Sequence, residues 1–294
     1  MSSDTPLFFP SAARAARRWV PRNRGTVLAA VVLLVIAIPC ILAASAAPYD
    51  PSAQPNIIEH SKPPSAAHPF GTDPASRDVL SRLLYGGRLS LSVAVFATLV
   101  SVTLGTAYGA AAGYSRGFTG ATLERVLDAL LSIPRLLLLI AIFAAWRDIS
   151  LTGFVVILGL TGWYGVARLV RGQVLALREQ DFVASARALG ATPGRIFLRH
   201  VLPNVLTPVV VAATLGIGHV IILEAGLSYL GIGVDPPTPS WGNMIQEGSG
   251  TIELRTNWWM SLFPGLAIVL TVMAFNVLGE ALLRALQPRQ QTTG

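Results

Sequence analysis

Two stretches of this chain, Gly25–Ala47 and Leu89–Gly113, contain no charged residue at all. A helix needs roughly 20 mainly apolar residues to cross a bilayer, and within hydrocarbon it satisfies every backbone N–H and C=O from its own segment. Four further runs meet the length. Val126–Trp146 has Asp128 near one end and Arg135 inside, and Ile149–Ala167 is uncharged. Val205–Ile232 contains His219 and Glu224, and Met260–Leu283 ends near Glu280. The expectation is an all-α polytopic membrane protein with six transmembrane helices. Composition agrees, since 52% of the 294 residues are hydrophobic and 13% charged.

The arginines set the topology. Segments on the N-terminal side hold the clusters Arg14–Arg24 and Arg168–Arg199, together with Arg116, Arg125, Arg284 and Arg289. The opposite segments hold only Lys62, Arg77, Arg82, Arg88, Arg147 and Arg255. The positive-inside bias therefore puts both termini in the cytoplasm of a multi-pass cell-membrane protein. The net charge of +7 is explained by orientation rather than by nucleic acid. The chain then divides into a cytoplasmic tail (1–24), a first span (25–47), an extracytoplasmic loop (48–88), a core of five spans (89–286) with a cytoplasmic loop at 168–204, and a second tail (287–294). A cleaved signal peptide is the competitor at the N-terminus, where "ASA" (44–46) imitates a cleavage site. The apolar run is too long for a usual h-region. The proline-rich part of the first loop, from Pro48 to Phe70, reads as extended connection.

Several chemistries are excluded at once. Cys40 is the only cysteine, so neither an intramolecular disulfide nor a cysteine metal cluster can form. The only lysine, Lys62, lies in "EHSKPP", without the glycines of a phosphate-cradling loop. If ATP powers this protein, another polypeptide hydrolyses it.

Between the fourth and fifth spans the hydrophobic pattern breaks into "DFVASARALGATPGRIFLRHVLPN", Asp181–Asn204. Phe182, Ala186 and Leu189 fall on one helical face. Gly190 is placed to end that helix in the left-handed conformation. Thr192 and Pro193 are an N-cap and first position for a second short helix, in which Ile196, Phe197 and His200 share a face and "LPN" closes the element. Small Ala184, Ser185 and Ala186 allow a partner close approach, and Arg187, Arg195 and Arg199 offer charge. An ordinary basic loop and a docking element are both open on periodicity alone.

Spacing adds a resemblance. ABC importer permeases carry a cytoplasmic motif written E-A-A, three residues, G, nine residues, I-x-L-P. Here Ala184-Ser185-Ala186, Gly190 and His200-Val201-Leu202-Pro203 stand in that register. Ala184 replaces the motif's Glu, Ser185 its second residue and His200 its Ile. The stretches "HPFGTDPASRDVLSRLLYGGRLSL", "DALLSIPRLLLL", "VARLVRGQVLALREQDFV" and "EAGLSYLGIGVDPPTPSWGNMI" resemble the C-type permease subunit of the dipeptide/oligopeptide branch. Ser76 stands where that branch usually has Gly. The resemblance implies the type I ABC importer permease (MetI-like) fold and half of a translocation pathway. It also implies coupling helices at Phe182–Pro203 that dock on one or two P-loop ATPase subunits, which would bind the ATP and Mg. The further implied partners are a second, homologous permease and an extracytoplasmic binding protein. The substrate would be a di- or oligopeptide, with nickel or another small solute as the alternative within the family.

Glu224 is an intramembrane carboxylate, a costly placement whose default reading is functional. It could line the path, pair with His219 or Arg135, or bond between helices. Arg135 follows Pro134, which frees a carbonyl that a polar neighbour can satisfy. Gly105, Gly109 and Gly113 recur every fourth residue, a spacing for close helix packing within the subunit or across a dimer. Trp258 and Trp259 read as an interfacial anchor, and "DPPTPSWGNMI" as a surface turn followed by a short amphipathic element. An ion-coupled secondary carrier using Glu224 and His219 would show pseudo-symmetric broken helices, which the pattern lacks. A membrane-embedded enzyme would need nucleophile, base or metal motifs such as HExxH, and none occurs.

Overall fold

The computed structural model describes residues 24–53, 60–146, 149–234 and 237–286. The tail segments 1–23 and 287–294, with most of the N-terminal arginines, and Arg147 lie outside the described residues. Every regular element among the described residues is helical. The helices are α1 (Arg24–Ile41), α2 (Ala43–Ala46), α3 (Val79–Tyr114), α4 (Gly117–Leu131), α5 (Arg135–Ala145) and α6 (Leu151–Arg178). After them come α7 (Asp181–Ala188), α8 (Pro193–Ile196), a π turn (Phe197–Val201), α9 (Leu202–Tyr229), α10 (Trp241–Glu247), α11 (Thr251–Thr256) and α12 (Trp259–Leu286). Among the described residues five helical stretches are long and apolar enough to cross a membrane, or six if the bent pair α4–α5 is one span.

That pair departs from the single span expected over Val126–Trp146. The two helices are bent by 75° at Ser132–Pro134. Pro134 has no N–H to donate, and its ring pushes Ile133 out of the helical region, so the ladder stops there. Arg135 opens the second half and donates from Nη2 to Leu158 O of α6 at 2.8 Å.

Helix α3 is the spine. Its 36 residues give a length of about 54 Å, well beyond the hydrocarbon layer of about 30 Å. Asp78 caps its start, accepting from Ser81 N at 2.7 Å. Its most extensive contact is with α6, and the glycine spacing explains why. A Cβ on Gly105, Gly109 or Gly113 would stand 2.4–2.8 Å from Val166, Ala167 O or Val174. From the facing side, Gly159 admits Val100 with the same tightness, 2.6 Å. The small-residue stripe thus serves packing within the subunit, where dispersion over a close approach replaces the hydrophobic drive that lipid removes.

The fifth span also differs from expectation. "LPN" does not end the short helix before it, because the chain runs on without a break. The π turn hands Leu202 N–H to Phe197 O, and Pro203 falls in the first turn of α9, where a missing donor is tolerated. Two aromatic expectations are corrected at the other end of the bundle. Trp259 is buried rather than anchored at an interface, donating from Nε1 to Thr72 O at 3.1 Å. Gly71, at φ 77, makes that possible, since a Cβ there would meet Trp259 at 2.7 Å. Trp258 is exposed. Trp241 opens α10 as a fully buried residue instead of a surface turn. Its Nε1 donates to Leu83 O at 3.0 Å, and Ser240 and Asn243 form a capping box beneath it.

Substituting Ala for Gly109 should force α3 and α6 apart and cost about 2 kcal/mol, within the range of overpacked cores. Gly165→Ala, on the open side of α6, should be neutral or stabilising by up to about 1 kcal/mol. Thermal unfolding of the two variants in detergent checks the difference.

Candidate coupling surface and intramembrane polar sites

The segment after α6 is built as a knob. Asp181 lies in the first turn of α7 and Arg187 in its last turn, each where the helix dipole favours its charge. Gly190 adopts φ 79. Its N–H bonds Arg187 O at 3.0 Å, and Ala191 N–H bonds Ala186 O at 3.1 Å, the paired bonds of a Schellman ending. Thr192 occupies the position before α8 and Pro193 opens it, but the threonine side chain makes no capping hydrogen bond. Tyr114 at the end of α3 reaches across, its hydroxyl donating to Pro193 O at 2.6 Å.

The faces of the knob divide differently from the expected Phe182–Ala186–Leu189 stripe. Val183, Ile196 and Val201 are buried inward among Val170, Val174, Val205 and Val209, with Ala186 and Phe197 packed at the edge. Phe182 and Leu189 instead face out, Leu189 with 89% of its surface exposed. Ala184, Ser185, Arg187, Gly190, Arg195 and Pro203 are exposed, while Leu202 and His200 are half-buried. The His200 ring lies 6.3 Å from that of Phe182. The knob therefore has one face spent on the bundle and another that leaves Phe182, Leu189 and Arg195 exposed. Sequence reading missed Val183 as the anchor; its i, i+3 relation to Ala186 was the available signal.

Glu224 is fully enclosed between helices. It accepts from Ser90 Oγ at 2.9 Å and Ser228 Oγ at 2.8 Å. Ser90 Oγ in turn accepts from Trp241 N at 3.3 Å. The carboxylate thus joins α3, α9 and α10, and the pairing with His219 or Arg135 considered from sequence is not formed. His219 is exposed on α9. Arg135 is half-buried against α6, with Nε 3.4 Å from Thr161 Oγ1. The three polar groups do not form one cluster.

A second polar assembly, unforeseen in the sequence, closes the end of the bundle away from the knob. Arg82, buried, donates to Asp73 Oδ2 and Glu247 Oε1 at 2.9 Å each. Arg77 bridges the same two acids at 2.6 and 3.0 Å. Beside them His68 Nδ1 lies 2.9 Å from Asp78 Oδ1. Two arginines and two carboxylates hold the loop before α3 against α10. Ser76, in the turn between Asp73 and Arg77, is forced to φ 61, which explains why a glycine suits that position. Among the described residues no group of three His, Cys, Asp or Glu could hold a metal ion.

A multi-spanning helical bundle with an exposed, Gly-ended double-helix knob at one end defines the class as a membrane transport subunit. The model described as "Binding-protein-dependent transport system inner membrane component" matches residues 105–292, and the chain belongs to that family. It is therefore a multi-pass inner-membrane permease component of an ABC importer. It is 37% identical to the dipeptide transport system permease protein DppC of Bacillus subtilis (strain 168), over 93% of this chain and 85% of that one. It is also 37% identical to the glutathione transport system permease protein GsiD of Pectobacterium atrosepticum, over 93% of this chain and 89% of that one. A solved structure of the MetNI methionine ABC transporter, described as inward facing, superposes with a TM-score of 0.60 at 22% identity. It covers 71% of this chain and 98% of its own, and shows the shared fold.

Two stability outcomes follow from this geometry. Glu224→Leu leaves Ser90 and Ser228 without their acceptor and should cost about 2–3 kcal/mol, whereas Glu224→Gln, which keeps one oxygen, should cost about half as much. Ser76→Gly relieves a left-handed side-chain residue and should stabilise by up to about 1 kcal/mol, a rise of up to about 2 °C in Tm. Thermal unfolding in detergent measures all three.

Proposed function

We propose that this chain is the translocation-pathway subunit of an ATP-driven importer of di- or oligopeptides, and that the knob at 181–204 couples it to a separate P-loop ATPase. The carrying observation is the outward face of the knob. Phe182 and Leu189 stand exposed, as does Arg195, on a framework fixed by Val183, Ile196 and Val201. A rigid base with an unspent apolar and basic face suits docking into an acidic-rimmed groove. Small Ala184 and Ser185 let the groove wall come close.

In this reading ATP and Mg are bound by the ATPase subunits, and this chain performs no chemistry. Closure of the paired ATPases moves the docked knob, and the motion passes through α6 and the π turn into α9. The coupling requires that the ATPase contact the knob differently in its two states. A second, homologous permease completes the pathway, and an extracytoplasmic binding protein delivers the solute. Both termini and the knob are cytoplasmic, a placement supported by the arginine bias of the loops. The peptide substrate class is supported by the transport names of the relatives. Arg135 and His219 are proposed as pathway contacts. Glu224 is proposed to shape that pathway by holding α3, α9 and α10 together.

Leu189→Asp tests the docking, because the side chain is 89% exposed and its replacement leaves the buried face of the knob untouched. The chain should insert and purify normally but retain about tenfold less P-loop ATPase in an affinity pull-down quantified by mass spectrometry, equivalent to about 1.4 kcal/mol of binding. ATP-dependent dipeptide uptake into proteoliposomes should fall in parallel. Undiminished ATPase retention would remove the docking reading.

A further inference from the structure

The inner side of the knob carries a feature the docking reading does not use. A cavity of about 340 Å³ opens between the ends of α3 and α6 and the inward surfaces of α7 and α8. Arg116, Arg178 and Arg187 line it, and Val183 and Ile196 contribute part of its apolar wall. Three guanidinium groups from three separate elements thus share one concave site.

Their charge is poorly compensated. Arg178 Nε lies 3.0 Å from Glu179 Oε1, and its Nη1 donates to Gly113 O at 3.2 Å. That carboxylate is 72% exposed, so solvent screens most of its effect. The neighbouring Arg171 is paired with Glu124 at 2.6 Å. Among the described residues no ion pair involves Arg116 or Arg187.

We propose that this cavity binds a phosphate-bearing anion. Guanidinium presents a planar fork of donors that matches phosphate oxygens in pairs, and a cleft walled by one sign of charge concentrates counter-ions. The site lies at the ends of helices α3 and α6, and basic pockets between transmembrane helices on the cytoplasmic side attract anionic lipid headgroups. Its mixed lining suits a charged head with an apolar continuation. The phosphate comes from an anionic phospholipid headgroup or from free phosphate. Either ligand would brace α7 against the ends of α3 and α6 from behind, fixing the knob whose other face is proposed to dock.

The test uses the full chain purified in neutral detergent and followed by thermal unfolding. Phosphatidylglycerol is compared with phosphatidylcholine in mixed micelles, and inorganic phosphate with chloride at matched ionic strength. Wild type should gain about 3 °C or more in Tm from phosphatidylglycerol or from phosphate, as expected for a ligand well above its Kd. A gain from phosphatidylglycerol alone identifies the headgroup as the source, and a gain from phosphate identifies the free anion. The double variant Arg116→Gln/Arg187→Gln should lose the gain, while Arg195→Gln/Arg199→Gln, which removes the same charge outside the cavity, should keep it. No gain in wild type, or an equal response of the two double variants, overturns the site. If the cavity variant fails to fold, native mass spectrometry of wild type decides. Absence of both a preferentially retained phosphatidylglycerol and a phosphate adduct is then the contrary result. ATPase retention, measured separately on the outward face, fails or succeeds independently of these outcomes.

Discussion

The close approach of α3 to α6 underlies the rest of the molecule. In a membrane, apolar side chains gain little by leaving lipid for each other, so helices are held by dispersion, hydrogen bonds and the fit of their surfaces. Gly105, Gly109 and Gly113 remove the atoms that would keep the two backbones apart. The seam they form runs toward the end of α3 where Tyr114 and Arg116 emerge, and toward the end of α6 where Arg178 emerges. Those residues meet the knob. A looser seam would leave the knob without a base, because its buried residues rest on Val170 and Val174 of α6.

The opposite end is fixed by polar contacts instead. Glu224 ties α9 to α3 and, through Ser90, to α10. Arg82 and Arg77, shared between Asp73 and Glu247, hold the loop before α3 onto the same short helix. Removing one partner from such an enclosed group costs more than the pair contributes, since the remaining charge is stranded. The two ends therefore differ in kind. One is a cross-braced cap, and the other is a knob with unspent apolar surface. In the proposed coupling that asymmetry supplies a place to be pushed and a place that keeps the helices in register.

Much of this was legible in the sequence because the signals were local. Uncharged runs located the spans, and Gly190 with Pro193 located the turn between two short helices. The failures have physical causes. In an eight-residue helix two faces compete, and Phe182 and Leu189 outweighed Val183 by size although Val183 is the buried one. The break at Pro134 was readable as a kink, but neither its 75° bend nor the reach of Arg135 to Leu158 O on α6 is written in the local sequence. The sequence "PSWGN" has the composition of a surface turn, and only the space beside Leu83 and Gly87 makes Trp241 a core residue. Arg77 and Glu247 are 170 positions apart, so nothing in either neighbourhood announces their pairing.

Accessibility of the knob from each side of the membrane tests the central claim most directly. Cys40 is buried, so a Leu189→Cys variant offers a single reactive thiol on the exposed face. A membrane-impermeant maleimide should label it in inside-out vesicles and not in intact spheroplasts. Adding back the ATPase subunits should then protect it. Labelling from the outer side, or labelling that the ATPase leaves unchanged, would contradict the account.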